Sequence, residues 1–226
     1  MRAKLFRSFA ILIIVTGGFF IFGKNSLAAT ADHLVISEMQ VAGVTADDEF
    51  IEIYNPTDTA VDLEILPLKL HIRNSTGTDQ NRTLTFINKI IPAHGYFLIG
   101  PTSGYSGTST LDATYSTSSN KLVPNGGVYI SKSTTAETDV LDKVGWGTQP
   151  IPCYESAPAL APPTSQSLER KFGGDLGNGE DTNDNSIDFN LFLTFGSKIY
   201  CFKSSLDIKY FNISSNSIKK SLFSLS

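Results

Sequence analysis

Between residues 34 and 144 the chain repeats one pattern: a run of three to five β-branched, aromatic or leucine-rich residues, then a turn signal. The runs are 34–36, 50–54, 68–72, 84–87, 96–99, 128–130 and 140–144. Asn55-Pro56-Thr57-Asp58, Asn74-Ser75-Thr76-Gly77, Pro92-Ala93-His94-Gly95 and Pro124-Asn125-Gly126-Gly127 separate them. Such residues favour pleated, half-buried backbone, and Pro, Gly and Asn break it. No 12-residue window after the first 28 residues sustains apolar spacing at i, i+3, i+4 and i+7, so helical architectures are excluded. Short strands at regular spacing predict an all-β sandwich or barrel. Ile51 and Ile53 share one face of a central strand, with Phe50 and Tyr54 on the other. Trp146, the only tryptophan, follows a strand between two glycines and is expected to be buried.

Charge divides the chain into three. Residues 1–28 carry Arg2, Lys4, Arg7 and Lys24 and no acid, while 29–190 hold 21 acidic side chains against nine basic. Residues 191–226 return to basic, with five lysines against Asp207. The first part reads as a signal peptide: a positive start, the apolar run Phe9 to Phe22, then Ser26-Leu27-Ala28 as a small-residue cleavage site. Its apolar run is shorter than the ~20 residues that span a bilayer. The body at 29–190 is long enough for one domain that buries ~70% of its unfolded surface. The tail at 191–226 has no assigned role. The expected location is therefore secreted or cell envelope, extracytoplasmic. An uncleaved N-terminus or the basic tail could bring the chain to a membrane. An oxidising compartment would also permit a Cys153–Cys201 bridge, although two unpaired thiols fit the sequence equally well.

The chemistry legible in the body is sparse. His33, His71 and His94 lack metal-ligand spacing and read as strand or surface residues. No Gly-x-Ser-x-Gly elbow and no phosphate-cradling glycine loop is present, and no cofactor is expected. Asp181, Asn183, Asn185 and Asp188 are the metal-ligand candidates, because alternating oxygens open an EF-hand loop in this way. Ser186 and Phe192 stand where that loop needs its glycine and its bidentate glutamate, so a structural turn is the better reading. The acidic body opposes nucleic acid, whose binding requires phosphates to be neutralised.

In order along the chain stand His33-Leu-Val-Ile-Ser-Glu-Met, Asp48-Glu-Phe-Ile-Glu-Ile-Tyr-Asn-Pro-Thr-Asp and Val61-Asp-Leu. Ile91-Pro-Ala-His-Gly-Tyr-Phe-Leu-Ile, Asn125-Gly-Gly-Val-Tyr-Ile and Asp142-Lys-Val-Gly-Trp-Gly follow, and Ser167-Leu-Glu-Arg-Lys with Asp181-Thr-Asn-Asp-Asn-Ser-Ile-Asp-Phe close the series. This ordered series resembles the lamin-tail domain, in the form of exported bacterial members. The resemblance implies an immunoglobulin-like β-sandwich that binds or tethers, with no catalytic residues. The family's Gly-Trp dipeptide is replaced by Glu64-Ile-Leu-Pro-Leu, so Ile65 or Leu66 is expected to stand in for a core aromatic.

The expected function is thus an exported non-catalytic module for an unknown protein or envelope polymer. Tyr105 to Tyr115 is the candidate contact loop, since tyrosine gives broad contact area at low entropy cost. An accessory domain of a secreted or membrane-associated hydrolase and a calcium-stabilised adhesion module are the alternatives.

Overall fold

The computed structural model describes residues 29–116, 121–174 and 177–193. The leader at 1–28, Asp175, Cys201 and the tail beyond Leu193 lie outside the described residues. The elements, in order, are β1 (Val35–Gln40), β2 (Phe50–Tyr54), β3 (Val61–Asp62), β4 (Lys69–Arg73), β5 (Asp79–Arg82), β6 (Thr85–Phe86) and β7 (Ile90–Ile91). They continue with β8 (Tyr96–Pro101), β9 (Ala113–Tyr115), β10 (Gly126–Ser131), β11 (Val140–Trp146), β12 (Gln166–Arg170), the single helical turn α1 (Asn185–Asp188) and β13 (Phe189–Leu193). A seven-stranded sheet in the order β13-β12-β1-β2-β8-β9-β6 packs on a four-stranded sheet, β11-β10-β4-β5, and β3 pairs with β7. The fold is an all-β sandwich.

The inner faces are filled by the alternating residues of each strand. Ile51, Ile53, Phe97 and Ile99 from the large sheet meet Leu70, Ile72, Val128, Ile130 and Val144 from the small one. Trp146 joins this core fully buried, and its Nε1–H donates to Val123 O at 2.8 Å. β1 needs a device to contribute. Its inward residues, Ile36 and Met39, are three apart, whereas a strand returns to one face every two residues. A register shift between Ile36 and Glu38 supplies the extra residue, so Ile36 faces Ile53 while Met39 faces Ile51. Such a bulge re-aims side chains at the cost of one unpaired residue.

The glycines of two motifs have a packing reason. Gly127 and Gly145 are cross-strand partners in β10 and β11. A Cβ at Gly127 would lie 2.7 Å from the Cys153 side chain, and one at Gly145 only 2.1 Å from Cys153 O. The proline-rich segment therefore lies directly on the outer face of the small sheet, burying Cys153. That burial pushes the Cys153 thiol up to about 12, where it is an inert apolar filler.

Three expectations need correction. Tyr115 is no contact residue: it lies in β9, 1% exposed and inside the core, because β9 pairs in parallel with β8. Ile65 is 83% exposed in the turn after β3 and replaces no core aromatic, whereas Leu66 packs partly against the core. The boundary at 190 falls inside β13, which stays paired with β12 out to Leu193. Phe50 and Tyr54 lie on the other face of β2 from Ile51 and Ile53, as expected, and are equally buried because loops cover that face too.

Candidate functional site

The segment from Asp181 to Asp188 folds as linked side-chain-to-backbone turns. Asp181 Oδ1 accepts from Asn183 N, and Asp184 Oδ1 caps the helical turn by accepting from Ser186 N at 3.0 Å. Asp188 is fully buried and accepts from both the backbone N–H and the hydroxyl of Thr182. Short polar side chains do this work because they reach their own backbone two residues on.

Asn185 has a different task. Its Oδ1 accepts from Gly145 N at 2.9 Å and its Nδ2 donates to Lys143 O at 3.0 Å. One buried amide thus pairs the open edge of β11 as a neighbouring strand would. Asn185 Oδ1 also accepts from Glu155 N at 3.2 Å, so both of its lone pairs are used within the protein. Asn183 is exposed, with φ 57°, and its carbonyl accepts from Ser156 Oγ. Of the two carboxylates among the four sequence candidates, Asp181 and Asp188 come together, and the third carboxylate of their cluster is Glu155, to whose Oε2 Asn185 Nδ2 donates at 3.1 Å. Carboxylate oxygens of these three lie within 4.8 Å of one another. Glu155 was invisible in sequence because it sits in the proline-rich segment, far from the acidic run.

Arg170 of β12 lies beneath this cluster, fully buried. Its Nη1 is 3.7 Å from both Asp181 and Asp188, and its Nη2 donates to Asp142 Oδ2 at 2.6 Å. Asp142 Oδ2 also accepts from Ile36 N, and Arg170 Nε donates to Ile36 O at 2.8 Å. The pair therefore satisfies both backbone groups of Ile36 at the bulge and ties β11 of one sheet to β1 and β12 of the other. Arg170 also lies over the ring of Phe189. Burial and the charges of Asp142 and Asp181 push the Glu155 carboxyl up to about 8, so it is protonated at neutral pH.

Beside the cluster opens a pocket of about 460 Å³. β11 forms one wall with Val140, Leu141 and Lys143, while Tyr154, Glu155 and Ser156 form a second, and His33, Asp181 and Asn183 complete it. His33 Nε2 stands 3.6 Å from Asp181 Oδ2. Among the sequence-derived residues, Ile51, Ile53 and Trp146 lie away from this pocket, in the core between the sheets.

A second acidic group crosses the outer face of the large sheet. Cross-strand register sets Glu38 opposite Glu52 on one side and Glu169 on the other. Ser37 Oγ donates to Glu52 Oε1 at 2.8 Å and Asn178 Nδ2 to Glu169 Oε1 at 3.0 Å. Burial, with the charge of Glu52 next, pushes the Glu38 carboxyl up to about 8. Holding that proton removes the repulsion of three adjacent carboxylates. Glu49, buried and accepting from Tyr115 Oη and Leu122 N, is pushed up to about 7 by burial.

Among the described residues no helix is long and apolar enough to cross a membrane. No curated protein and no solved structure matches the chain. One family model does, that of the Lamin Tail Domain, over residues 28–148, which is more than half the sequence and runs from the approach to β1 through β11. With an immunoglobulin-like sandwich in the expected order of motifs, the chain belongs to the lamin tail domain family.

Proposed function

We propose that this protein is an exported, non-catalytic lamin-tail module that binds or tethers at the cell envelope. The observation that carries the reading is a lamin-tail match beginning at residue 28, directly after a stretch with a basic start and an apolar run. A β-sandwich presents its loops at the ends and margins of a rigid scaffold, and binding residues concentrate on such loops. The converging loops around 33, 154–156 and 181–183 suit that role. A hydrolase-accessory role would place the same module beside a catalytic partner rather than change its own chemistry.

The test is a fusion of residues 1–40 to a reporter that is active only after export, with fractionation of the full chain in parallel. Reporter activity and recovery of the full chain outside the cytoplasm are the expected results. An inactive reporter with a cytoplasmic full chain would refute export and, with it, envelope tethering.

A further inference from the structure

We propose that the pocket beside β11 binds a neutral saccharide unit, as found in an envelope polysaccharide. The proposal rests on the envelope reading for its ligand source and on the pocket for its chemistry.

Size comes first. A pocket of about 460 Å³ lies within the ~300–1,000 Å³ of small-ligand clefts and has room for one or two sugar rings. Such clefts are mostly apolar, however, and this one is lined mainly by His33, Lys143, Tyr154, Glu155, Asp181 and Asn183. A wall of mixed donors and acceptors wants a ligand whose every group can both donate and accept, which is the property of a hydroxyl. Tyr154, Val140 and Leu141 add apolar surface for the C–H face of a ring.

Charge then narrows the choice. His33 and Lys143 share the lining with Asp181 and Glu155, so groups of both signs face the pocket. A calcium ion takes six to eight oxygens. Here Asp188 is fully buried and occupied by Thr182, and the Arg170 guanidinium already stands 3.7 Å from both Asp181 and Asp188. The site of a cation is thus filled by a side chain of the protein. Glu155, whose Oε2 accepts from Asn185 Nδ2 at 3.1 Å, keeps its other carboxyl oxygen for a ligand, and Asn183 offers an exposed amide. These suit an uncharged polyhydroxylated guest.

The test is titration of the full chain with glucose, N-acetylglucosamine and maltose, read by saturation-transfer NMR and calorimetry. At least one should bind saturably, at roughly millimolar affinity, and Tyr154→Ala and Asp181→Asn should each weaken it about tenfold or more. Thermal melts of both variants establish that they fold, and Ile65→Ser, at an exposed site outside the pocket lining, should bind like the parent. Absence of binding by all three sugars would overturn the proposal, as would binding that both pocket variants leave unchanged. A melting temperature raised by calcium chloride, and no longer raised in Asp181→Asn, would assign the pocket to a cation instead. Export is scored separately, so an exported chain that ignores sugars defeats this inference alone, and a cytoplasmic chain that binds them defeats only the location.

Discussion

Arg170 and Asp142 meet Nη2 to Oδ2 at 2.6 Å with neither side chain exposed, and between them they hold both backbone groups of Ile36. Removing one partner of a buried pair leaves an uncompensated charge, so Arg170→Ala should cost ~3–5 kcal/mol in denaturant melts. A buried pair replaced by apolar residues is often neutral. Here the double variant Arg170→Met with Asp142→Leu should remain destabilised by ~1–3 kcal/mol, because Ile36 loses both hydrogen-bond partners. A double variant as stable as the parent would show that the bulge needs no such support.

Asn185→Ala removes two hydrogen bonds from the β11 edge and leaves Gly145 N–H and Lys143 C=O without them. The expected loss is ~2–4 kcal/mol, from buried groups left unsatisfied. Asn185→Asp keeps the acceptor for Gly145 but turns the donor toward Lys143 O into a second acceptor, so it should be no better. Hydrogen exchange at Gly145 should rise sharply in both. Unchanged protection there would refute the edge-pairing role.

Trp146→Ala should cost ~3–5 kcal/mol, the range for a large buried aromatic. Trp146→Phe retains ring volume but forfeits the bond to Val123 O, at ~1 kcal/mol plus a packing defect. A loss below ~1 kcal/mol for the alanine variant would contradict the buried placement.

Glu38, Glu49 and Glu155 carry folded-state pKa values of about 8, 7 and 8, each above the usual carboxylate value of 4.5. Between pH 4.5 and 8 the folded state holds protons that the unfolded state has released. Stability from these groups is therefore full below 4.5 and is lost as pH rises toward 8. The melting temperature should fall from pH 6 to pH 8.5, with each group contributing at most ~1.4 kcal/mol per pH unit. Glu38→Gln should flatten that fall. A slope identical to the parent's would remove Glu38 as a contributor.

The body out to the end of β13, residues 29–193, should not be retained on duplex DNA at about 0.15 M salt, where attraction to phosphates is already screened. Its 21 acids against nine bases oppose the several phosphate contacts that nonspecific binding requires. A gel shift by this body at micromolar concentration would overturn the expectation.

What the sequence announced and what it hid follow from where each strand lies. β2, β4, β8, β10 and β11 pack in or against the core, so their apolar runs were legible. β5, Asp79–Arg82, is wholly polar because it lies at the sheet edge, and nothing in its composition says strand. β12 and β13 were obscured because their strand-forming residues adjoin charged and polar neighbours. The acidic run was legible as a turn, but the third carboxylate of its cluster, Glu155, belongs to a distant segment. The row Glu52–Glu38–Glu169 depends on register across three strands, which no local pattern encodes.

The tie between Ile36, Asp142 and Arg170 joins points 106 and 134 residues apart in the chain. Contacts so distant cannot form until both sheets have largely assembled, since closing long loops costs entropy before any bond rewards it. The tie should therefore act as a latch closed after the folding barrier. Its loss would speed unfolding far more than it slows folding. Such a latch sets lifetime: resistance to proteases and to mechanical pull would be governed by how rarely it opens.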